Sequence, residues 1–130
     1  MIRVALLSRW HVHADEYAQE ACKHPDVEVV AVWDEQETRG RKWAKELGVR
    51  FESDLEQLLG DDTVDAVIVA TPTTMHLQVI VATARHRKHV FTEKVMGVTL
   101  EEVRLMLAEM ANAERRWMLS LPRLSHSYFL

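Results

Sequence analysis

The segment that decides the fold is Asp65-Ala66-Val67-Ile68-Val69-Ala70, the most strand-like stretch in this chain of 130 residues. After its first residue it is apolar throughout. Unbroken apolar runs rich in β-branched residues are typical of strands that are covered on both faces, as in a parallel sheet.

Apolar runs of this kind alternate with segments of helical period along the whole chain. The predicted strands are 2–7, 27–33, 49–51, 65–70, 88–92 and 117–121. Between them, apolar residues recur at intervals of three and four, as in Leu77, Ile80, Val81 and Ala84, which marks one face of a helix. Six strands that alternate with helices indicate a single α/β domain, a doubly wound parallel sheet of the Rossmann-like type with helices on both faces. Such folds bind ligands beyond the carboxyl ends of the strands, at the switch point between the first and fourth.

The composition excludes several other classes of protein. With 48% hydrophobic and 28% charged residues, the chain is neither disordered nor of low complexity. A net charge of −4 argues against a nucleic-acid partner. The apolar runs are far shorter than the roughly 20 residues that cross a bilayer, so no membrane partner is expected. The single Cys22 and the lack of a secretory signal predict a cytoplasmic protein.

The residues at the predicted strand ends resemble one family. The matching stretches are Val30-Ala31-Val32-Trp33-Asp34, Asp65-Ala66-Val67-Ile68-Val69-Ala70-Thr71-Pro72, His76, Lys88-His89-Val90 and Glu93-Lys94. Together they are similar to the nucleotide-binding half of the glucose-fructose oxidoreductase and inositol dehydrogenase family (Gfo/Idh/MocA), from residue 2 to about residue 123. The resemblance implies an oxidoreductase that uses NAD or NADP to transfer a hydride to or from a sugar, cyclitol or related polyol.

The same resemblance divides the chain. Residues 1–121 are expected to form the NAD(P)-binding domain, and residues 122–130 to be a tail or the start of a missing substrate domain. Without that second domain, we expect no turnover from this chain alone. The apolar residues of 121–130 lack a partner in the chain, which predicts poor order or self-association through this tail.

The turn after the first strand departs from the family pattern. Family members carry a Gly-x-Gly-x-x-Gly loop here, and its glycines let the backbone approach a pyrophosphate at a helix N-terminus. This chain has Ser8-Arg9-Trp10-His11-Val12-His13, with no glycine and about three residues fewer. Ser8, Arg9, Trp10 and His11 are still predicted to line the cofactor, with Arg9 neutralising a phosphate. We expect NAD to bind weakly and NADP more weakly still.

Polar residues after the second and fourth strands are further candidates for binding the cofactor. Asp34 is predicted to accept the hydroxyls of the adenosine ribose and to repel a 2′-phosphate, which favours NAD over NADP. Its spacing to Glu37 also fits a helix N-cap. Thr71, Pro72 and Thr73 are predicted to line the cofactor, and their alternative role is a turn with an N-cap for the next helix.

Glu93 and Lys94 are the candidates for the chemistry. A lysine at a strand end can hydrogen-bond a reacting hydroxyl and stabilise its developing charge, so Lys94 is predicted to be catalytic and to contact the cofactor. Glu93 is predicted to orient Lys94 or to hold the nicotinamide ribose, and the alternative is an ordinary surface pair. The family motif is Glu-Lys-Pro, and Val95 in place of proline predicts a trans Lys94–Val95 peptide bond. His76 is predicted to line the cofactor, with a capping or water-bonded histidine as the alternative.

Two functions of other classes remain open. A Rossmann-type domain that has lost dinucleotide binding would serve as an interaction or ligand-sensing module, which the missing glycines favour. His11 and His13, two residues apart, suggest a metal site. No cysteine or carboxylate falls at a recognisable ligand spacing, so we expect no metal.

Overall fold

A computed structural model describes residues 1–94 and 96–120, and over these residues the chain forms six strands and five α-helices. The strands are β1 (Ile2–Leu7), β2 (Val27–Trp33), β3 (Arg50–Phe51), β4 (Ala66–Val69), β5 (His89–Thr92) and β6 (Trp117–Leu119). The helices are α1 (Ala14–Lys23), α2 (Glu37–Leu47), α3 (Leu55–Leu59), α4 (His76–Arg85) and α5 (Leu100–Ala113), with a 3₁₀ turn at Thr73–Met75 before α4. Among the described helices, none combines the length and apolar composition that a membrane crossing needs.

The strands form one parallel sheet in the order β3-β2-β1-β4-β5-β6, which confirms the predicted doubly wound, Rossmann-like fold. The chain winds outward from β1 to β3 and then crosses to β4 on the other side of β1. The switch point therefore lies between β1 and β4, as the pattern predicted.

Side chains that alternate along β1 separate the core into two layers. Val4 and Leu6 belong to a cluster with the apolar residues of α1 and α2, such as Ala18 and Trp43. Ala5 and its neighbours on that face belong to a second cluster, which includes residues of α3, α4 and α5. Because successive residues of a strand point to opposite faces, a central strand can support both layers only if it is apolar throughout.

The amino end of β4 is tied to β1 by a charged pair. The Nε and Nη2 atoms of Arg3 each donate a 3.0 Å hydrogen bond to the Asp65 carboxylate, and the Arg3 backbone N–H adds a bond of 2.8 Å. These bonds stabilise the ionised carboxylate and lower the pKa of Asp65 to about 2. Asp65, the first residue of the segment 65–70, therefore precedes β4 and anchors the start of that strand to Arg3 of β1.

Several observed strands are shorter than predicted. The N–H of Val49 donates to the Ala44 carbonyl and closes the end of α2, so β3 begins only at Arg50. The sixth strand is predicted over 117–121, whereas the observed β6 ends at Leu119. Leu121 lies outside the described residues. The expectations for the Lys94–Val95 bond and for the tail at 121–130 also fall outside the described part of the chain.

Gly40 allows α2 to pack closely against the ends of β2 and β3. A Cβ atom at this buried position would lie 2.6 Å from the Cβ of Asp34 and 3.1 Å from the Cδ1 of Phe51. Carbon atoms do not approach each other so closely without displacement. The glycine is therefore required by the helix–sheet contact, which also fixes the position of Asp34.

We predict that Gly40→Ala lowers the free energy of unfolding by about 1–3 kcal/mol, because overpacking exceeds the gain of about 1 kcal/mol in helix propensity. Lys42→Ala, on the exposed side of the same helix, should change stability by no more than about 0.5 kcal/mol. Urea denaturation followed by circular dichroism measures both. A Gly40→Ala variant as stable as the wild type would contradict the packing argument.

Candidate functional site

The register of the sheet brings the predicted site residues to one edge. Leu7 pairs with Trp33 and with Val69, and Val69 pairs with Thr92, so β1, β2, β4 and β5 end side by side. The residues that follow these ends include Ser8, Asp34, Thr71 and Glu93, all of which are buried. The structure thus places the candidates from four separate segments along the carboxyl edge of the sheet, where Rossmann-type folds have their binding crevice.

The turn after β1 begins at Ser8, whose backbone is left-handed with φ +80°. This region is uncommon for residues other than glycine and is often retained at functional sites. The Ser8 N–H donates to the Trp33 carbonyl at 2.7 Å, and its hydroxyl donates to Glu35 at 2.6 Å while accepting from the N–H of Trp10 at 3.1 Å. Hydrogen bonds to β2 and to its own turn therefore hold Ser8 in this conformation.

Most N–H groups of this turn are already used inside the protein. Arg9 donates to Asp34 at 3.0 Å, His11 to the Ala70 carbonyl at 3.0 Å, and His13 to the Nδ1 of His11 at 3.1 Å. In turn 8–13, only the N–H of Val12 has no acceptor among the described residues. The turn therefore lacks the row of unpaired donors that a glycine-rich loop presents to a pyrophosphate.

The side chain of Arg9 links α1 to α2. Its Nε donates to Asp15 at 2.8 Å, its Nη2 lies 3.0 Å from Glu46, and its guanidinium stacks 5.7 Å from the ring centroid of Trp43. The charge is thus balanced by two carboxylates. To neutralise a phosphate, Arg9 would have to leave these partners.

Asp34 is the most fully coordinated carboxylate of the site. Its Oδ1 accepts from the Gln36 N–H at 2.9 Å and from Arg39 at 2.7 Å, and its Oδ2 accepts from the Arg9 N–H at 3.0 Å and from Arg39 at 2.9 Å. Its side chain has an exposed fraction of 0%. The N-cap alternative for Asp34 is wrong, because α2 begins later and its N-cap residue is Gln36.

Sequence reasoning missed Glu35 and Arg39. The Nη2 of Arg39 donates to Glu35 at 2.6 Å as well as to Asp34, so one guanidinium holds two adjacent carboxylates. The available signal was the spacing, since an arginine four residues after Glu35 lies on the same side of a helix start. Whether this arginine contacts one carboxylate or both depends on side-chain directions, which the spacing alone does not give.

Thr71, His76 and Glu93 contribute buried polar atoms without partners among the described residues. These atoms are Thr71 Oγ1, His76 Nε2 and both carboxylate oxygens of Glu93. The exposed fraction of Glu93 is 1%. Buried polar groups are nearly always paired, so these four atoms, at the ends of β4 and β5 and the start of α4, point to a ligand or to ordered water.

The ring of His76 has a defined orientation. Its Nδ1 lies 3.1 Å from the carbonyl oxygen of Met96, and an oxygen acceptor requires the proton on Nδ1. Nε2 of the neutral ring is then an acceptor. The capping alternative for His76 is wrong, since α4 has no side-chain cap and the ring is buried within the crevice.

His11 faces Glu93 across the crevice. Its Nδ1 accepts the His13 N–H, so its Nε2 carries the proton, and this atom lies 4.0 Å from Glu93 Oε1. That distance is too long for a direct hydrogen bond. Burial lowers the pKa of His11 below its usual value, and the charge of Glu93 partly opposes this shift.

The remaining predicted residues lie at the rim. Trp10 is 51% exposed. Lys94 is also exposed, and its positive charge lowers the pKa of the His11 imidazole. Pro72 precedes the 3₁₀ turn that begins at Thr73, and neither that turn nor α4 has a side-chain cap. The N-cap alternative for this segment is therefore wrong. In residues 1–94 and 96–120, no three His, Cys, Asp or Glu side chains are grouped as metal ligands.

Comparison with known proteins agrees with this arrangement. Strand order and switch point define a Rossmann-type α/β domain, and a family model described as an oxidoreductase family with an NAD-binding Rossmann fold (Gfo/Idh/MocA) matches residues 10–121. Because the match covers most of the chain, the chain belongs to the Gfo/Idh/MocA oxidoreductase family.

Individual relatives support the same assignment. The myo-inositol 2-dehydrogenase of Thermotoga maritima is 36% identical over 90 residues, 68% of this chain and 27% of that protein. The scyllo-inositol 2-dehydrogenase (NADP(+)) of Bacillus subtilis is 29% identical over 110 residues, 83% of this chain and 33% of that protein. A crystal structure described as a "probable dehydrogenase from Thermotoga maritima" has a TM-score of 0.88 at 28% identity, over 95% of this chain and 37% of that one. The chain thus spans about a third or less of these curated relatives.

We predict that the pKa of His11 lies below 6.5 and that Glu93→Gln lowers it further, because the substitution removes the charge that favours the imidazolium. Since folding lowers this pKa, the group reduces stability as the pH falls below 6.5. An NMR titration of the imidazole nitrogens measures the pKa. Glu16→Gln, which alters the exposed carboxylate beside His13, should leave the pKa of His11 nearly unchanged. An unchanged or raised pKa in Glu93→Gln would contradict the proposed contact.

Proposed function

We propose that this chain is the NAD(P)-binding domain of an oxidoreductase that transfers a hydride to or from a carbon of a sugar, cyclitol or related polyol. The observation that carries the proposal is the Glu93 carboxylate, which is buried at the end of β5 and has no partner for either oxygen in residues 1–94 and 96–120. An unpaired buried carboxylate costs several kcal/mol. A ligand that donates hydrogen bonds to it would remove this cost.

The chemistry of the unpaired atoms defines the ligand group. The carboxylate oxygens of Glu93 and the Nε2 of His76 are acceptors, and the hydroxyl of Thr71 can act either way. Adjacent hydroxyls on a ring supply donors at matching spacing, as in a ribose or a polyol. We assign the nicotinamide ribose to Glu93 and His76, with Thr71, Pro72 and Thr73 lining the cofactor above β4.

The pyrophosphate region fits the dinucleotide less well. Ser8, Trp10 and His11 line the crevice there, but their N–H groups bond within the protein. A phosphate would exchange these hydrogen bonds instead of filling unpaired ones, at little net gain. Weak dinucleotide binding is therefore part of the proposal, with NAD preferred over NADP.

Lys94 is the proposed catalytic residue. Its side chain is exposed and follows Glu93 in the sequence. An ammonium there can donate a hydrogen bond to a substrate hydroxyl and stabilise negative charge on that oxygen. A bound nicotinamide ring would supply or accept the hydride. Burial lowers the pKa of His11, and its Nε2–H can donate a hydrogen bond to a bound group.

The second candidate is an interaction or ligand-sensing module without dinucleotide binding. The observation that favours it is the turn at 8–13, whose N–H groups are nearly all satisfied without a ligand. Under this alternative, Glu93 and His76 would receive a small polyhydroxylated ligand directly. The cytoplasmic location and self-association through residues 121–130 remain predictions.

We predict that NADH binds the chain with a dissociation constant above 1 μM, on the order of micromolar to millimolar, and that Glu93→Gln weakens binding at least tenfold, as expected for a lost charged acceptor. Enhancement of NADH fluorescence and quenching of tryptophan fluorescence measure the affinity. Glu16→Gln is the matched control and should bind like the wild type. Stabilisation by a polyol such as inositol but not by NADH would favour the sensing module, and submicromolar affinity would contradict the assignment of the turn.

A further inference from the structure

His11 lies where the ends of three strands come together. Its backbone N–H donates to the carbonyl of Ala70, directly after β4, and its carbonyl accepts from the N–H of Ala14 at the start of α1, both at 3.0 Å. The turn that follows β1 therefore crosses to the end of β4 at this residue. The imidazole reaches onward to Glu93, directly after β5, with 4.0 Å between Nε2 and Oε1.

The turn also determines which ring nitrogen of His11 carries the proton. The N–H of His13 donates to Nδ1 at 3.1 Å, so Nδ1 of the neutral ring is an acceptor and Nε2 bears the hydrogen. A separation of 4.0 Å is too long for a direct hydrogen bond. The Nε2–H donor of His11 and the carboxylate acceptor of Glu93 therefore face each other without bonding.

The gap between these two atoms has the dimensions of one bridging oxygen. An oxygen that makes hydrogen bonds of about 2.8 Å to both atoms fits this separation with an angle of about 90° between the two bonds. The oxygen must accept from the imidazole and donate to the carboxylate. A hydroxyl group or a water molecule does both, whereas a carbonyl oxygen cannot donate and an ammonium group cannot accept.

The burial of the two side chains makes this contact selective. The side chain of Glu93 is 1% exposed and that of His11 is 19% exposed, so a ligand group reaches the gap past the imidazole. Inside a protein a hydrogen bond is electrostatically stronger than in water, and an unpaired buried carboxylate is costly. A hydroxyl group that satisfies both side chains at once therefore gains more than one that contacts the exposed rim.

We propose that the side chains of His11 and Glu93 form a donor–acceptor pair that binds a single hydroxyl group of the ligand. The turn at 8–13 uses most of its backbone N–H groups within the protein, and it contributes a side-chain N–H to the site instead. His11 is then a binding residue that selects an alcohol. The inference rests on the proposed function where the hydroxyl belongs to a dinucleotide ribose, and a free polyol would use the same pair.

The test uses two substitutions in the 130-residue chain that separate the roles of the two ring nitrogens. In His11→Asn the amide oxygen can replace Nδ1 as the acceptor for the His13 N–H, but the side chain is too short to place a donor at Nε2. In His11→Gln the amide nitrogen reaches the position of Nε2. His13→Gln is the matched control, because that side chain is 42% exposed and pairs with Glu16.

Two probes distinguish the sources of the hydroxyl group. Fluorescence titration measures the dissociation constant of NADH, isothermal titration calorimetry measures that of myo-inositol, and thermal melting verifies the fold of each variant. Nitrogen NMR of the wild-type imidazoles is a second measurement that depends on no variant.

For each probe that binds the wild type, His11→Asn should weaken binding about tenfold, as expected for one lost hydrogen bond, and His11→Gln should weaken it less. His13→Gln should leave the dissociation constant unchanged. Because one hydroxyl group contacts both side chains, the loss in the double variant His11→Asn/Glu93→Gln should be about three- to tenfold smaller than the product of the two single losses. The Nε2 resonance of His11 should shift when the ligand binds.

A folded His11→Asn variant that binds like the wild type overturns the inference, as do single losses that simply multiply in the double variant. If His11→Asn does not fold, an Nε2 resonance that does not shift on ligand binding overturns it. In each of these cases, NADH binding by the wild type still supports the proposed function. Binding of myo-inositol but not of NADH, with the expected dependence on His11, supports the pair and overturns the dinucleotide function. Binding of neither probe overturns both.

Discussion

The left-handed turn at Ser8 is the constraint on which the carboxyl edge of the sheet depends. Leu7 is buried between β2 and β4, and the chain must leave it immediately to reach α1 over the switch point. A φ of +80° achieves this without glycine, but it costs conformational energy for a residue with a side chain. The hydrogen bonds of Ser8 to Trp33 and Glu35 offset that cost. The same bonds fix the loop after β2, so the conformation of one residue determines the geometry of two strand ends.

The two sides of the crevice differ in how their polar groups are satisfied. On the side of β2, the carboxylates of Asp34 and Glu35 are held by Arg39 and by backbone donors. On the side of β4 and β5, Glu93 and His76 bear buried atoms that have no partner in the described part of the chain. Unpaired buried groups lower stability, and the packing of the core must compensate for them. The side of β4 and β5, whose buried groups lower the stability of the fold, is thus the side that a ligand would stabilise most.

The sheet could be predicted from the sequence because its signals are local. The runs at 2–7, 27–33 and 65–70 are apolar because both faces of these strands are covered, and parallel pairing then places their carboxyl ends together. The site is less predictable because its contacts depend on side-chain directions and helix starts. The spacing of Asp34 and Glu37 fits an N-cap, yet the N-cap position of α2 is Gln36. The Asp34 carboxylate instead accepts hydrogen bonds from Arg39. The orientation of the His76 ring likewise depends on the carbonyl of Met96, twenty residues away, which no local pattern shows.

Under the proposed function, this division places most of the binding affinity at one end of the crevice. A group that reaches Glu93 gains a charged hydrogen bond where the protein had none, so most of the affinity arises there. A group that reaches the side of β2 meets a structure that is already bonded, so it gains little there. Under that function, a domain without a glycine-rich loop would draw its affinity from the buried acceptors of Glu93 and His76 and not from the turn at 8–13.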